Sequence, residues 1–164
     1  MGIPGFLDKK QTTYKTNLLK IIELCNKHQI RIKEHNTDYL SDKALQIHPE
    51  IGIHAANVAP EFAVVETRAF LSLLKKNQLE AELEKFIEIS YSSKKWEKWM
   101  LDNSQLGKQE KAIISGHYIF GKNEFIELKN DVENKISLDV SLDSYLKTEI
   151  KKSLIRYLNL FSVI

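Results

Sequence analysis

Strand-forming sequence is scarce in this chain, and that scarcity limits the folds open to it. Two short stretches, RIKEHNTDY and IGIHAANV, join β-branched residues to polar ends in the way typical of strands, and a fainter trace lies at GIPGF. Nearly everything else has the three- and four-residue apolar spacing of amphipathic helices. The 164 residues are enough for one domain with a proper core.

Helices and strands alternate along the first half of the chain. The spacing predicts a helix over 11–28, and the first strand follows it. Ser41 is placed to cap a short helix that Pro49 ends. The second strand leads to Pro60 at the start of another helix, which is predicted to continue through EFAVVETRAFLSLLKKN. Helix, strand, helix, strand, helix is the repeating unit of a parallel α/β architecture.

From about residue 80 the sequence becomes helical in character. AELEKFIEIS and SSKKWEKWML have helical spacing, and a loop is predicted over 103–107. The clearest helix is SLDSYLKTEIKKSLIRYLNLF, whose apolar residues lie along one side. The sequence thus predicts two parts: residues 1–79 with the parallel strands, and residues 80–164 as a helical extension.

The charge balance argues against two classes of partner. The chain has 24 basic and 22 acidic side chains, which gives no electrostatic reason to expect nucleic acid or an anionic membrane. No apolar run approaches the roughly 20 residues of a membrane span, and the start, MGIPGFLDKK, has no signal-peptide core. We therefore expect a cytoplasmic protein with no nucleic-acid or membrane partner.

Polar side chains stand at the ends of both predicted strands. Glu34, His35 and Asp38 follow the first strand, and His54 and Asn57 end the second. In parallel α/β folds such side chains line the ligand site, so these residues are candidates for binding a substrate. Carboxylate and imidazole together bind a divalent metal or move a proton at a sugar carbon. The alternative for Asp38 is that it fixes a turn by bonding to the backbone.

Two further histidines are expected to have structural roles. His48, at a helix end before Pro49, is predicted to be a cap or a surface residue, and His117 to be a packed or loop histidine. The sequence contains no GxxxxGK phosphate loop, no GxSxG nucleophile elbow and no HExxH zinc motif. The residues alone therefore indicate an α/β site with histidines and carboxylates, and no reaction.

Two stretches, EHNTDYLSDKAL and IGIHAANVAPEF, are distinctive enough to indicate a family. In them the chain resembles the non-catalytic subunit family of class II D-tagatose-1,6-bisphosphate aldolase, formerly described as a tagatose-6-phosphate kinase. The similarity continues through VVETRAFLSLL, SGHYIFGKNEFIELK and LIRYL, and covers most of the chain from about residue 33 onward.

The resemblance implies a fold as well as a family. Its members look like (β/α)8 barrels with a helical C-terminal extension. The expected fold is therefore α/β: a partial (β/α)8 barrel, consisting of the last two βα units, followed by a mostly helical extension. A complete barrel takes about 250 residues and eight strands, so the resemblance implies a C-terminal portion of such a protein.

The function implied by the resemblance is that of a truncated accessory subunit in tagatose- or galactitol-type carbohydrate metabolism. It would support a separate zinc-dependent aldolase subunit without a catalytic residue or cofactor of its own. The expected partner is that catalytic subunit or a chain carrying the missing barrel half, or further copies in an oligomer. Two alternatives stay open. One is a fragment of a metal-dependent sugar or sugar-phosphate 4-epimerase, with a divalent metal near Glu34, His35 and His54; the other is an inactive gene remnant.

Overall fold

The structure of the protein is a computed structural model that describes residues 12–35, 37–100 and 105–161, with the backbone alone for residues 12–17. The described residues form seven α-helices, and two strands of two residues each. The helices are α1 Thr12–Lys27, α2 Asp42–Glu50, α3 Pro60–Lys76, α4 Glu80–Ser92, α5 Lys108–Ser115, α6 Asn123–Lys135 and α7 Leu142–Leu160. The strands are β1 Lys33–Glu34 and β2 Ala55–Ala56, and 3-10 turns cover Glu97–Trp99 and Gly116–Tyr118.

The fold class predicted from the sequence is wrong. The described residues are mostly helical, and a partial (β/α)8 barrel is not shown. β1 and β2 are parallel, with Lys33 opposite Ala55 and Glu34 opposite Ala56, and they form a sheet of two strands. Parallel strands are stabilised by cover on both faces, but Lys33 and Ala55 are exposed. The pairing therefore stops after two residues, although the predicted strands were much longer.

The predicted helices agree with the structure more closely than the predicted strands do. The bounds of α1, α3 and α7 agree closely with the predicted ones, and Pro60 is the first residue of α3. The Ser41 side chain accepts a hydrogen bond from the Ala44 amide at 3.2 Å, which confirms the predicted cap of α2. Pro49 does not end α2 as predicted but lies inside its last turn. The trace at GIPGF, and residues 103 and 104 of the predicted loop, lie outside the described residues.

The chain divides into two compact units. The first falls within Met1–Glu61 and Leu154–Ile164, and the second is Phe62–Ser153. These units are spatial groupings, whereas the boundary predicted at residue 79 separates family segments and stays a prediction. The core of the second unit contains a cluster of phenylalanine rings, in which the centroid of Phe70 lies 5.3 Å from those of Phe86 and Phe125.

Gly116 marks a close approach between elements of the second unit. A Cβ atom at this position would lie 2.4 Å from Thr67 Cγ2 of α3 and 3.0 Å from Phe86 Cζ of α4. Both of these neighbours are completely buried, so neither side chain has free space to move into. The turn after α5 can therefore pack against α3 and α4 only with a hydrogen in place of a side chain.

We predict that Gly116→Ala lowers the free energy of unfolding by about 1–3 kcal/mol, because the added methyl overpacks a filled core. Urea unfolding followed by far-UV circular dichroism measures the change. Gly121→Ala is the matched control, since a Cβ there meets nothing within 4 Å, and it should change stability by less than about 0.5 kcal/mol. Equal effects of the two substitutions would contradict the packing described for Gly116.

Candidate functional site

The backbone brings the carboxyl ends of β1 and β2 side by side. The Asn57 amide donates to the Glu34 carbonyl at 2.9 Å, and the Thr37 amide donates to the Asn57 carbonyl at 3.3 Å. The Thr37 hydroxyl donates to the same carbonyl at 2.9 Å, and Thr37 is buried. The main chain after each strand is therefore fixed by the other, which places the candidate residues of both strands in one region.

The carboxylate of Glu34 contacts the ring of His48, a pairing that the sequence did not predict. Its Oε2 atom lies 2.6 Å from Nε2 of His48, and Nδ1 of His48 lies 2.5 Å from the Ala44 carbonyl oxygen. His48 is buried on the face of α2 that also buries Ala44 and Leu45, so its prediction as a cap or surface residue is wrong. The signal available in the sequence was helical spacing, because His48 follows Ala44 by four residues.

The surroundings of His48 favour its positively charged form. A neutral imidazole has a single N–H, whereas both ring nitrogens of His48 lie close to acceptor oxygens, an arrangement that suits the doubly protonated ring. Burial lowers the pKa of His48, but the hydrogen bond to Glu34, the bond to the Ala44 carbonyl and the charge of Glu34 outweigh it. The pKa of His48 is therefore raised above its ordinary value of 6.5.

Asp38 acts as a cap for a helix that begins more than twenty residues later. Its Oδ1 atom accepts hydrogen bonds from the Ala59 amide at 3.1 Å and from the Glu61 amide at 2.8 Å. The first amides of a helix have no partner within the helix, and a negative charge there is favoured by the helix dipole. The buried Asp38 carboxylate thus links the segment after β1 to the start of α3 through hydrogen bonds.

Next to this cap, Glu61 accepts hydrogen bonds from residues that are distant in the sequence. Its Oε2 atom accepts from the Tyr39 amide and from the Tyr157 hydroxyl, which lies in α7, 96 residues away. The Tyr157 hydroxyl is also 3.1 Å from the Thr37 carbonyl oxygen, but its single proton serves one acceptor at a time. Burial, the bond to Glu61 and the charge of Glu61 raise the pKa of Tyr157, so it stays a hydroxyl.

Arg156 extends the same network at its solvent edge. Its Nε and one terminal nitrogen contact Asp42 Oδ1 at 2.8 and 2.6 Å, and that terminal nitrogen also donates to the Leu40 carbonyl at 2.6 Å. The other terminal nitrogen lies 3.6 Å from Glu61 Oε1. Neither Arg156 nor Tyr157 could have been placed here from sequence, because the separation along the chain gives no local pattern.

The remaining candidates, His35, His54 and Asn57, are exposed. The ring of His54 accepts a hydrogen bond at Nδ1 from the Ile32 amide at 3.2 Å, so it supports the backbone before β1. Asn57 contributes its backbone carbonyl to Thr37, as described above. Of the predicted substrate-binding residues, Glu34 and Asp38 are therefore held by contacts within the fold, and the other three present side chains to solvent.

Over residues 12–35, 37–100 and 105–161, no group of three or more His, Cys, Asp and Glu side chains is arranged to hold a metal ion. In the same ranges none of the helices is long and apolar enough to cross a bilayer.

His117 lies in the second unit, and its ring centroid is 3.9 Å from that of Tyr118. Burial and the nearby charge of Lys98 lower the pKa of His117.

Comparison with known proteins yields no family assignment. No family model, no curated protein and no solved structure matches the chain. The resemblance to the aldolase subunit family therefore stays a prediction from the residues quoted above.

We predict that His48 makes the stability of the protein fall as pH rises. Because the pKa of His48 is raised on folding, its contribution is complete below pH 6.5 and is lost as pH rises through the folded-state pKa. Urea unfolding of the wild type and of His48→Gln from pH 6 to pH 9 measures it, and the difference between them should shrink with pH. Glu34→Gln should weaken this pH dependence, because it removes the charge that favours the imidazolium. A wild-type advantage that is constant over this range would contradict the charged state assigned to His48.

Proposed function

We propose that the chain is an accessory, non-catalytic subunit that supports a separate zinc-dependent D-tagatose-1,6-bisphosphate aldolase subunit in the cytoplasm. The stretches EHNTDYLSDKAL and IGIHAANVAPEF support the choice of this aldolase. Sugar-bisphosphate cleavage would then occur in the partner, and this chain would contribute to the partner's activity or lifetime.

The observation that carries the non-catalytic role is the capping of α3 by Asp38. Oδ1 of this buried carboxylate accepts both backbone amides, so binding a metal or moving a proton at that oxygen would cost the start of α3 its cap. Glu34 is in a similar position, because its carboxylate pairs with the buried imidazole of His48. Asp38 and Glu34, which were candidates for substrate binding, therefore have structural roles in the first unit. These roles favour support of a partner over catalysis by this chain.

A second candidate function is that of an epimerase-like chain acting on C4 of a sugar or sugar phosphate. The exposed side chains of His35, His54 and Asn57 next to the strand ends favour it, because they can meet a substrate at the surface, His54 through the ring nitrogen that the Ile32 amide does not occupy. This activity would use a divalent metal as cofactor and would depend on residues supplied by another chain. Interconversion of C4-epimeric ketoses by the purified chain with Mn²⁺ or Zn²⁺ would support it over the accessory role.

Co-expression with a catalytic tagatose-bisphosphate aldolase subunit tests the accessory role. We expect the aldolase activity of the lysate, or the half-life of the purified aldolase at elevated temperature, to rise by at least about twofold when this chain is present, since a bound partner stabilises the folded state. Cleavage is measured as dihydroxyacetone phosphate formed from tagatose 1,6-bisphosphate.

The matched controls are the aldolase subunit alone and the aldolase with an unrelated protein of similar size and charge. A full-length family member serves as the positive control. Aldolase activity and half-life that stay at the level of the unrelated protein, while the full-length member raises them, would rule out the accessory role.

A further inference from the structure

The first unit exposes large aliphatic side chains along α1 and the segment after it. Leu19, Ile21, Leu24 and Ile30 are 46%, 53%, 57% and 57% exposed, whereas Ile22 between them is buried. Ile21 and Leu24 are three residues apart, so they lie on one side of the helix. Scattered single apolar residues are normal on a protein surface, but Ile21 and Leu24 lie next to each other on the helix and are both more than half exposed, so they mark a candidate interaction site.

Exposed basic side chains occur in the same stretch of the chain. Lys20, Lys27, Arg31 and Lys33 are exposed over this stretch, against a single exposed acid, Glu23. The excess of positive charge here is larger than the net charge of +2 carried by the whole chain. Lys20 and Lys27 precede and follow Leu24 by four and three residues, so they flank it on the helix. We use the name α1 surface for Ile21, Leu24, Lys20 and Lys27.

We propose that the α1 surface binds an acidic amphipathic helix of a partner protein. Apolar residues of that helix would pack on Ile21 and Leu24, and flanking Asp or Glu side chains would meet Lys20 and Lys27. The inference rests on the proposed function in taking the partner to be a protein, and it adds the surface and the chemistry by which that partner is recognised.

Charge argues against a second copy of this chain as the occupant. A symmetric dimer joins the same patch of both subunits, so the basic rim of one α1 surface would face the basic rim of the other. Juxtaposed like charges cost several kcal/mol, roughly, and suppress such pairing. A partner helix that carries the opposite charge meets no such penalty.

The apolar residues also argue against a lipid surface. Helices that lie in a membrane interface bury an apolar face that commonly includes Trp or Phe. Both apolar residues of the α1 surface are aliphatic, and the acidic Glu23 lies between them in sequence. A protein helix with Leu or Ile anchors therefore suits this surface better than a bilayer does.

Fluorescence anisotropy with two labelled helical peptides tests the inference. Both carry Leu at helical positions i, i+3, i+4 and i+7; one has Glu at the flanking positions and the other has Lys. We expect the Glu peptide to bind the full-length protein at least about tenfold more tightly than the Lys peptide, and to weaken at about 1 M salt, where the Debye length is about 3 Å. Failure of both peptides to bind, or equal binding of the two, would overturn the inference.

Substitutions at matched positions locate the binding. Ile21→Glu and Lys27→Glu should each weaken binding of the Glu peptide by at least about fivefold, since each removes an apolar anchor or reverses a charge. Val140→Glu is the control for the first, because Val140 is also 53% exposed, and Lys147→Glu on α7 is the control for the second. Neither control should change binding. Circular dichroism and urea unfolding of each variant report whether it is folded.

Other occupants of the α1 surface are outcomes that overturn the proposal. Binding of phosphatidylserine vesicles without binding of the Glu peptide would indicate a membrane, and self-association in sedimentation that Ile21→Glu abolishes would indicate a second copy. Unchanged support of the aldolase by Ile21→Glu would reject this surface but leave the proposed function standing. Peptide binding with no effect of the chain on the aldolase would reject the proposed function alone.

Discussion

The acceptance of two backbone amides by the Asp38 carboxylate is the contact on which the rest of the first unit depends. It fixes the start of α3 against the segment after β1, and this position brings Glu61 within reach of its own donors. Glu61 then accepts from Tyr39 and Tyr157, so the end of α7 is tied to the same place. Chain segments that are far apart in sequence are therefore joined through a short series of buried oxygens, because each carboxylate satisfies donors that would otherwise be costly to bury.

The same residue types serve catalysis and folding, and the surroundings decide between the two. A carboxylate in a sugar-converting site needs a free oxygen for a metal, a proton or a hydroxyl. One oxygen of Asp38 instead accepts two backbone amides, and one oxygen of Glu34 contacts the buried ring of His48. The polar ends of β1 and β2 hold segments of the first unit together, whereas Lys20, Ile21, Leu24 and Lys27 of α1 are exposed to solvent. The proposed function therefore lies in contacts with another chain.

Sequence reasoning succeeded where the signal was local. The 3.6-residue spacing gave α1, α3 and α7, and Ser41 and Pro60 were identified by the physical needs of a helix start. The strands were overestimated, because β-branched composition does not say whether a neighbouring strand exists to cover or pair with them. The burial of His48 and the contacts of Tyr157 were missed because they depend on residues brought together only by the fold. Asp38 lay between these cases: a backbone-bonding role was weighed, but the cap it forms for α3 was not foreseen.

The stability of Asp38 variants tests most directly whether the strand-end acids hold the fold together. In urea unfolding at pH 7, we predict that Asp38→Ala loses about 1–2 kcal/mol, because the Ala59 and Glu61 amides lose their acceptor. Asp38→Asn should lose much less, since its side-chain oxygen can still accept both bonds. Amide hydrogen exchange at Glu61 should speed up in Asp38→Ala alone. An Asp38→Ala protein as stable as the wild type, with Glu61 exchange unchanged, would contradict the account and return Asp38 to the group of residues free for chemistry.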